Sequence, residues 1–126
     1  MKYIIDEIPP SSNKFNGRKN IWEYRNEKKR WEQLVRLKCR PKPDKPFENA
    51  TVKLTYHFKT RTRHDPDNYS GKFILDGLVR AGILKDDSFV NIKLELAGLV
   101  DKDNPRTEIE VISDDSFVDR QKLKMK

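Results

Sequence analysis

One cysteine, Cys39, and two histidines, His57 and His64, are the whole stock of thiol and imidazole ligands in these 126 residues. A lone cysteine closes no internal disulfide, and so few soft donors leave a zinc centre nothing to be built from. Cys39 is expected to be an ordinary helical residue. Long apolar runs are missing as well: nothing approaches the roughly 20 residues that cross a bilayer, so no membrane role is expected. The opening MKYIIDEIPP has a short apolar patch but no long hydrophobic region or small-residue cleavage site. It reads as a first strand rather than a secretion signal, and the expected location is the cytoplasm. Repeats and low-complexity tracts are absent, and hydrophobic content of 35% promises one domain, residues 1–126, with a modest core.

What the chain does have is positive charge. Lys and Arg number 27 against 20 Asp and Glu, a net +7. That balance suits a polyanion, and with no membrane-spanning run nucleic acid is the better fit than an acidic membrane surface.

After the first strand, Pro9 to Gly17 (PPSSNKFNG) has the composition of a loop. From about Asn20 to Arg40, Ile21, Tyr24, Trp31, Leu34, Val35 and Lys38 recur at helical spacing, with Arg25, Lys28, Lys29 and Arg30 on the outer face. Trp22 and Trp31, nine apart, face different ways, so one is core and the other an interface or a DNA platform. Pro41, Pro43 and Pro46 mark a connector, and Val52, Leu54, Tyr56 and Phe58 then alternate with polar residues as a half-buried strand does. Asp65 and Asp67 are good N-caps with Pro66 at a first helical position, which predicts a second helix running to Gly82. An alternating run from Phe89 to Val100 and a strand near Thr107 to Ile112 follow, joined by the polar DKDNPR, which reads as a hairpin loop. The residues from Asp114 to Lys126 read as a mobile or weakly helical tail. The expected fold is α+β, a small mixed β-sheet with two main helices in the order β-α-β-α-β-β and a C-terminal hairpin.

The segment from Arg61 to Val90 holds five aspartates, four of them in tight pairs, beside a basic run of Lys59, Arg61, Arg63 and His64. Carboxylates repel one another, so their clustering points to a cation or a basic partner. Asp65 and Asp67 stand where strand becomes helix, and Asp86 and Asp87 leave the helix's far end. The two groups are expected to converge if the next strand pairs with the strand before. Carboxylates without histidine or thiol are hard oxygen ligands that favour Mg²⁺ or Mn²⁺. Such an ion polarises a phosphodiester and lowers the pKa of an attacking water, while Lys72 could neutralise charge on the phosphate.

Each piece has a plainer meaning alone. Asp-Pro-Asp-Asn is more often a capped turn, adjacent aspartates are usually solvated, and Lys72 with Asp76 could be a surface pair worth a few tenths of a kcal/mol. Independent turns, however, have no reason to put acids at both ends of one helix beside a basic strand end. An EF-hand register through Asp65, Asp67 and Asp76 fails because its sixth position is Ser70, its fifth is Tyr69, and a strand precedes it.

The run DPDNYSGKFILDGLVRAGILKDDSFV resembles the signature of the RusA family of Holliday junction resolvases, and PPSSNKFNG is similar to that family's Pro-Pro-Ser-x-Asn element. The resemblance implies that Asp65, Asp67 and Asp87 hold magnesium, that Asn68 follows as the motif's asparagine, and that Lys72 is the catalytic lysine, counted back from Asp76. One more residue separates Asp67 from Asp76 than in the best-known members; counted forward, the lysine's slot falls near Ser70 and Gly71. It further implies a homodimeric, magnesium-dependent endonuclease that nicks four-way DNA junctions symmetrically, typical of bacteria, phages and prophages, acting at the nucleoid without a small-molecule cofactor. DNA contacts are expected from Asn13, Lys14, Arg18, Lys19, Arg61, Arg63, His64 and Asn68. Two rivals stay open: a DNA-binding module whose acids are structural, and a nuclease for another branched nucleic acid.

Overall fold

Alternation in the segment ATVKLTYHF does what a half-buried strand requires: Ala50, Val52, Leu54, Tyr56 and Phe58 point to one face and are buried, while Thr51, Lys53 and Thr55 point to the other. The structure, a computed structural model, describes residues 1–15 and 21–113. Its elements are β1 (Lys2–Ile5), α1 (Ile21–Lys38), β2 (Ala50–Phe58), α2 (Lys72–Arg80), β3 (Ile92–Val100) and β4 (Arg106–Ser113), with 3-10 turns at Ser12–Phe15 and Pro66–Asn68. The four strands form one mixed sheet in the order β1-β4-β2-β3, in which only β2 and β3 are parallel. This is the α+β fold and element order expected. The expected tail from Asp114 onward, and Arg18 and Lys19, lie outside the described residues.

Both helices lie on one face of the sheet. Tyr3 and Ile5 of β1, the alternate residues of β2, and Thr107, Ile109 and Val111 of β4 meet Trp31 and Val35 of α1 and Phe73, Ile74 and Leu78 of α2. At roughly 1.5–3 kcal/mol for each large apolar side chain, this single layer carries the fold. The helices approach closely where Gly77 faces Val35; a Cβ added there would come within 2.9 Å of Val35 Cγ2. Trp31 is fully buried, and Trp22, 68% exposed, is the outward tryptophan, with the Arg25 guanidinium 5.3 Å from its ring. Cys39 is buried just past the end of α1, donating its N–H to Val35 O at 2.8 Å. Among the described residues no helix is long and apolar enough to cross a membrane.

Two expectations are corrected. The C-terminal pair is not a hairpin: β3 and β4 sit on opposite sides of β2, each paired along its length with that strand. β2 is the most thoroughly buried strand and lies between the other two, so the DKDNPR segment passes across its end, spanning two strand spacings, about 10 Å. Asp101 N–H bonds to Phe58 O at 2.8 Å as the crossing begins, and Arg106 Nη1 bonds to Asp101 at 2.7 Å as it ends. The second correction concerns α2. The acid motif forms its own short turn, Pro66–Asn68, and the helix starts only at Lys72. Gly71 separates them at φ +85°, a left-handed conformation that ends one turn and opens the next.

Candidate active site

The chain leaves β2 as a basic, exposed segment and turns at once into the acid motif. Arg63 Nε donates to Asp65 Oδ1 at 2.9 Å, and Asp67 lies near enough to add to the electrostatic rise in the Arg63 pKa, whose main cause is the bond to Asp65. Arg63 is thus partly spent on the aspartates beside it, while Arg61 stands exposed with no partner of this kind among the described residues. His64 is stacked on Phe58, ring centroids 3.8 Å apart and 7° from parallel, and meets Tyr69 edge-on, so its ring closes the edge of the core. The turn is tied to the loop after β1 by one bond, Ser12 Oγ donating to Asn68 Oδ1 at 3.1 Å. Asn13 bonds back to Ser11 Oγ within that loop, next to Lys14, whose ammonium lies 5.9 Å from the Phe15 ring centroid.

Lys72 opens α2 with its ammonium 5.4 Å from the centroid of the Tyr24 ring. The Tyr24 hydroxyl, and more weakly Asp76, raise its pKa, so it remains a cation throughout the physiological range. Asp76, one turn further along, lies 4.0 Å from Lys28 of α1. The helix then ends, and a short parallel bridge between Phe47 and Leu84 anchors the exit, with Lys85 N–H on Phe47 O at 3.0 Å. Asp86 and Asp87 follow in the exposed turn that Asn91 closes onto the start of β2, through Ala50 N–H on Asn91 O at 3.0 Å. The Asp87 pKa is raised by partial desolvation first, then by Asp76 and Asp86 nearby.

The expected pairing of β3 with β2 is present, and it is parallel: Ala50 faces Ile92 and Phe58 faces Val100. Asp65 and Asp67 therefore follow the last residue of β2, whereas Asp87 precedes the residue that pairs with its first. Within one chain the carboxylates stand in two groups, Asp65 with Asp67 around Arg63, and Asp87 with Asp76 and Asp86. Among the described residues no group of three His, Cys, Asp or Glu side chains is gathered as a metal cage. All the donors in both groups are carboxylate oxygens, the type a hard divalent cation takes.

Sequence patterning placed Tyr24 only in the apolar stripe of α1; its partnership with Lys72 needed the helix–helix packing to be seen. The nearness of Asp76 to Asp87 was equally hidden, although the four-residue spacing had already put Asp76 on the face of Lys72.

Fold and site define a two-layer α+β domain that carries oxygen-donor carboxylates beside an arginine-bearing strand end. A family model described as Endodeoxyribonuclease RusA matches residues 7–112, and the chain belongs to that family. The family is one of endonucleases that resolve Holliday junctions, act on branched DNA and generally depend on a divalent metal. No curated protein matches the chain.

Proposed function

We propose that the protein is a homodimeric, magnesium-dependent endonuclease that resolves four-way DNA junctions by paired, symmetric nicks. The observation that carries the reading is the acid turn Asp65–Pro66–Asp67, held by Arg63 after the end of β2, with Lys72 opening the helix that follows. Asp65, Asp67 and Asp87 are the residues that would hold the cation. Bound there, it would polarise the scissile phosphodiester and lower the pKa of the attacking water.

The protein's own groups divide the remaining work. Lys72, kept charged by Tyr24, faces the negative charge that develops on phosphate. Arg61 meets the DNA backbone, and Arg63 restrains Asp65 so that the carboxylate is held ready instead of swinging free. Because Asp65 and Asp67 follow the last residue of β2 whereas Asp87 precedes the strand that pairs with it in parallel, the reading joins them through a second copy of the chain. The outer edge of β3 supports such a partner: Leu96, Leu99 and Val100 are exposed along it, and Phe89, 94% exposed, and Val90 precede it. An unpaired apolar edge of that kind asks for a cover. Two symmetric cuts also require two sites related by a twofold axis.

The test is incubation of the protein with labelled four-way junction, fork and linear duplex, with and without Mg²⁺, beside Asp67→Asn. Paired nicks on the junction that need the metal and vanish in the variant, while binding persists, are expected. Binding with no metal-dependent product would leave a structural DNA-binding module. Equal cutting of forks would move the substrate to other branched DNA.

A further inference from the structure

Between the loop after β1 and the acid turn lies a cleft that Lys72 borders and whose remaining wall the proposed chemistry leaves unused. Its walls are aromatic: Phe15 meets Tyr24 edge-on with centroids 5.4 Å apart, and Tyr69 also lines it. Its rim is polar, with Ser12 bonded to Asn68 through the amide oxygen at 3.1 Å, which leaves the amide nitrogen to donate elsewhere. At its floor Tyr56 is only 3% exposed, and its hydroxyl has no hydrogen-bond partner among the described residues. Burial holds that hydroxyl protonated, so it is a donor in search of an acceptor. A buried hydroxyl left unpaired is destabilising, and its retention beside an open cleft asks for a reason.

Aromatic faces with a few polar groups at their edges are what an extruded nucleobase requires, and a branch point supplies nucleotides already out of the stack. Asn68 lines the cleft and is the immediate neighbour of Asp67, so an occupant sits one residue from the proposed cleavage chemistry. We propose that this cleft receives one unpaired nucleobase beside the cleaved linkage, stacked on Phe15 or Tyr24 and read at its edge by Tyr56 and Asn68. The proposal rests on the nuclease reading and adds to it the determinant of base preference at the cut.

The experiment uses full-length protein and fluorescein-labelled four-way junctions in which each nucleotide flanking the branch is made abasic in turn, or replaced by each of the four bases. One abasic position is expected to slow cutting by about tenfold or more, the scale of one lost base–aromatic stack. Phe15→Ala should remove most of that difference. Tyr56→Phe should flatten the preference among the four bases at the same position while leaving the unfolding midpoint unchanged or raised, because it removes an unpaired buried hydroxyl without a change of shape. A hydroxyl with a purely structural task would do the reverse, lowering stability with base preference intact. Equal cutting of all abasic junctions overturns the proposal. If the protein cuts no DNA, the nuclease reading falls by itself. The pocket is then judged by junction affinity from fluorescence anisotropy, where equal affinity for abasic and intact junctions overturns it and a loss at one position sustains it.

Discussion

Replacing Gly71 with alanine tests how tightly the acid turn is locked to the sheet. Gly71 sits at φ +85°, which costs an L-residue about 1–2 kcal/mol. Its Cβ would also collide with Leu54 Cδ1, a fully buried side chain of the central strand, and come 3.4 Å from the Tyr56 hydroxyl. Overpacking of that kind costs roughly 1–3 kcal/mol. Set against a gain of about 0.4–1 kcal/mol from a less flexible unfolded chain, the net loss is about 1–4 kcal/mol, a large part of the 5–15 typical of a domain. Gly82 supplies the control. Its φ of +80° carries the same backbone cost, but a Cβ there would meet only Lys42 Nζ at 3.8 Å. Urea denaturation of both variants, extrapolated to water, should show Gly71→Ala losing at least about 1 kcal/mol more than Gly82→Ala. DNA cutting by Gly71→Ala should fall further than its folded fraction explains, since the glycine joins the aspartate turn to Lys72. Equal losses in the two variants would refute the argument that contact with Leu54, and not the backbone alone, requires a glycine.

Four further outcomes follow from the same geometry. Asp67→Asn and Asp87→Asn proteins, each inert, should regain about a quarter of the wild-type sites when mixed and allowed to exchange, all as single nicks, because half of the dimers would then hold one intact pair; a mixture as dead as its parents would put both residues in one chain's site. Junction affinity should fall linearly in a log–log plot against salt, and Arg61→Ala should lower the slope by about 0.9 per lost phosphate contact, more than Arg63→Ala, whose guanidinium is held by Asp65. Glu108, bonded to Lys2 and Arg106, has its pKa held below the ordinary 4.5, so its contribution to stability is complete above that value and is lost as pH falls through the folded pKa; denaturant midpoints across acid pH should show a shallower decline in Glu108→Gln. Burial pushes the Cys39 thiol up to about 12, so a disulfide reagent at pH 8 should label it only after denaturant is added.

Most of the fold was legible because its period changes are sharp. Val52, Leu54, Tyr56 and Phe58 declare a strand with one buried face, and Trp31 with Val35 declares a helix seated on it. The neighbours of each strand were less legible. Alternating runs joined by DKDNPR look alike whether they pair with each other or straddle a third strand, and the choice was made by β2, a buried strand whose backbone groups are paired along both edges. The start of α2 was misplaced for a local reason: Asp65 and Pro66 do begin a turn, but Tyr69 to Gly71 interrupt it, and only the positive φ of Gly71 shows where the helix restarts.

The site was legible in its residue types and not in its assembly. Two acid pairs flanking one helix suggest convergence, and a strand returning beside β2 seemed to bring it about. Parallel pairing reverses that inference, because a helix that carries the chain back along the sheet delivers Asp87 to the end where β2 began. Asp65 and Asp67 leave β2 at one end of the pair and Asp87 enters β3 at the other, a consequence of the parallel register. On the dimeric reading proposed above, a second copy of the chain completes the cation site, and the exposed apolar side chains of β3, on the strand that Asp87 introduces, are where it would pack.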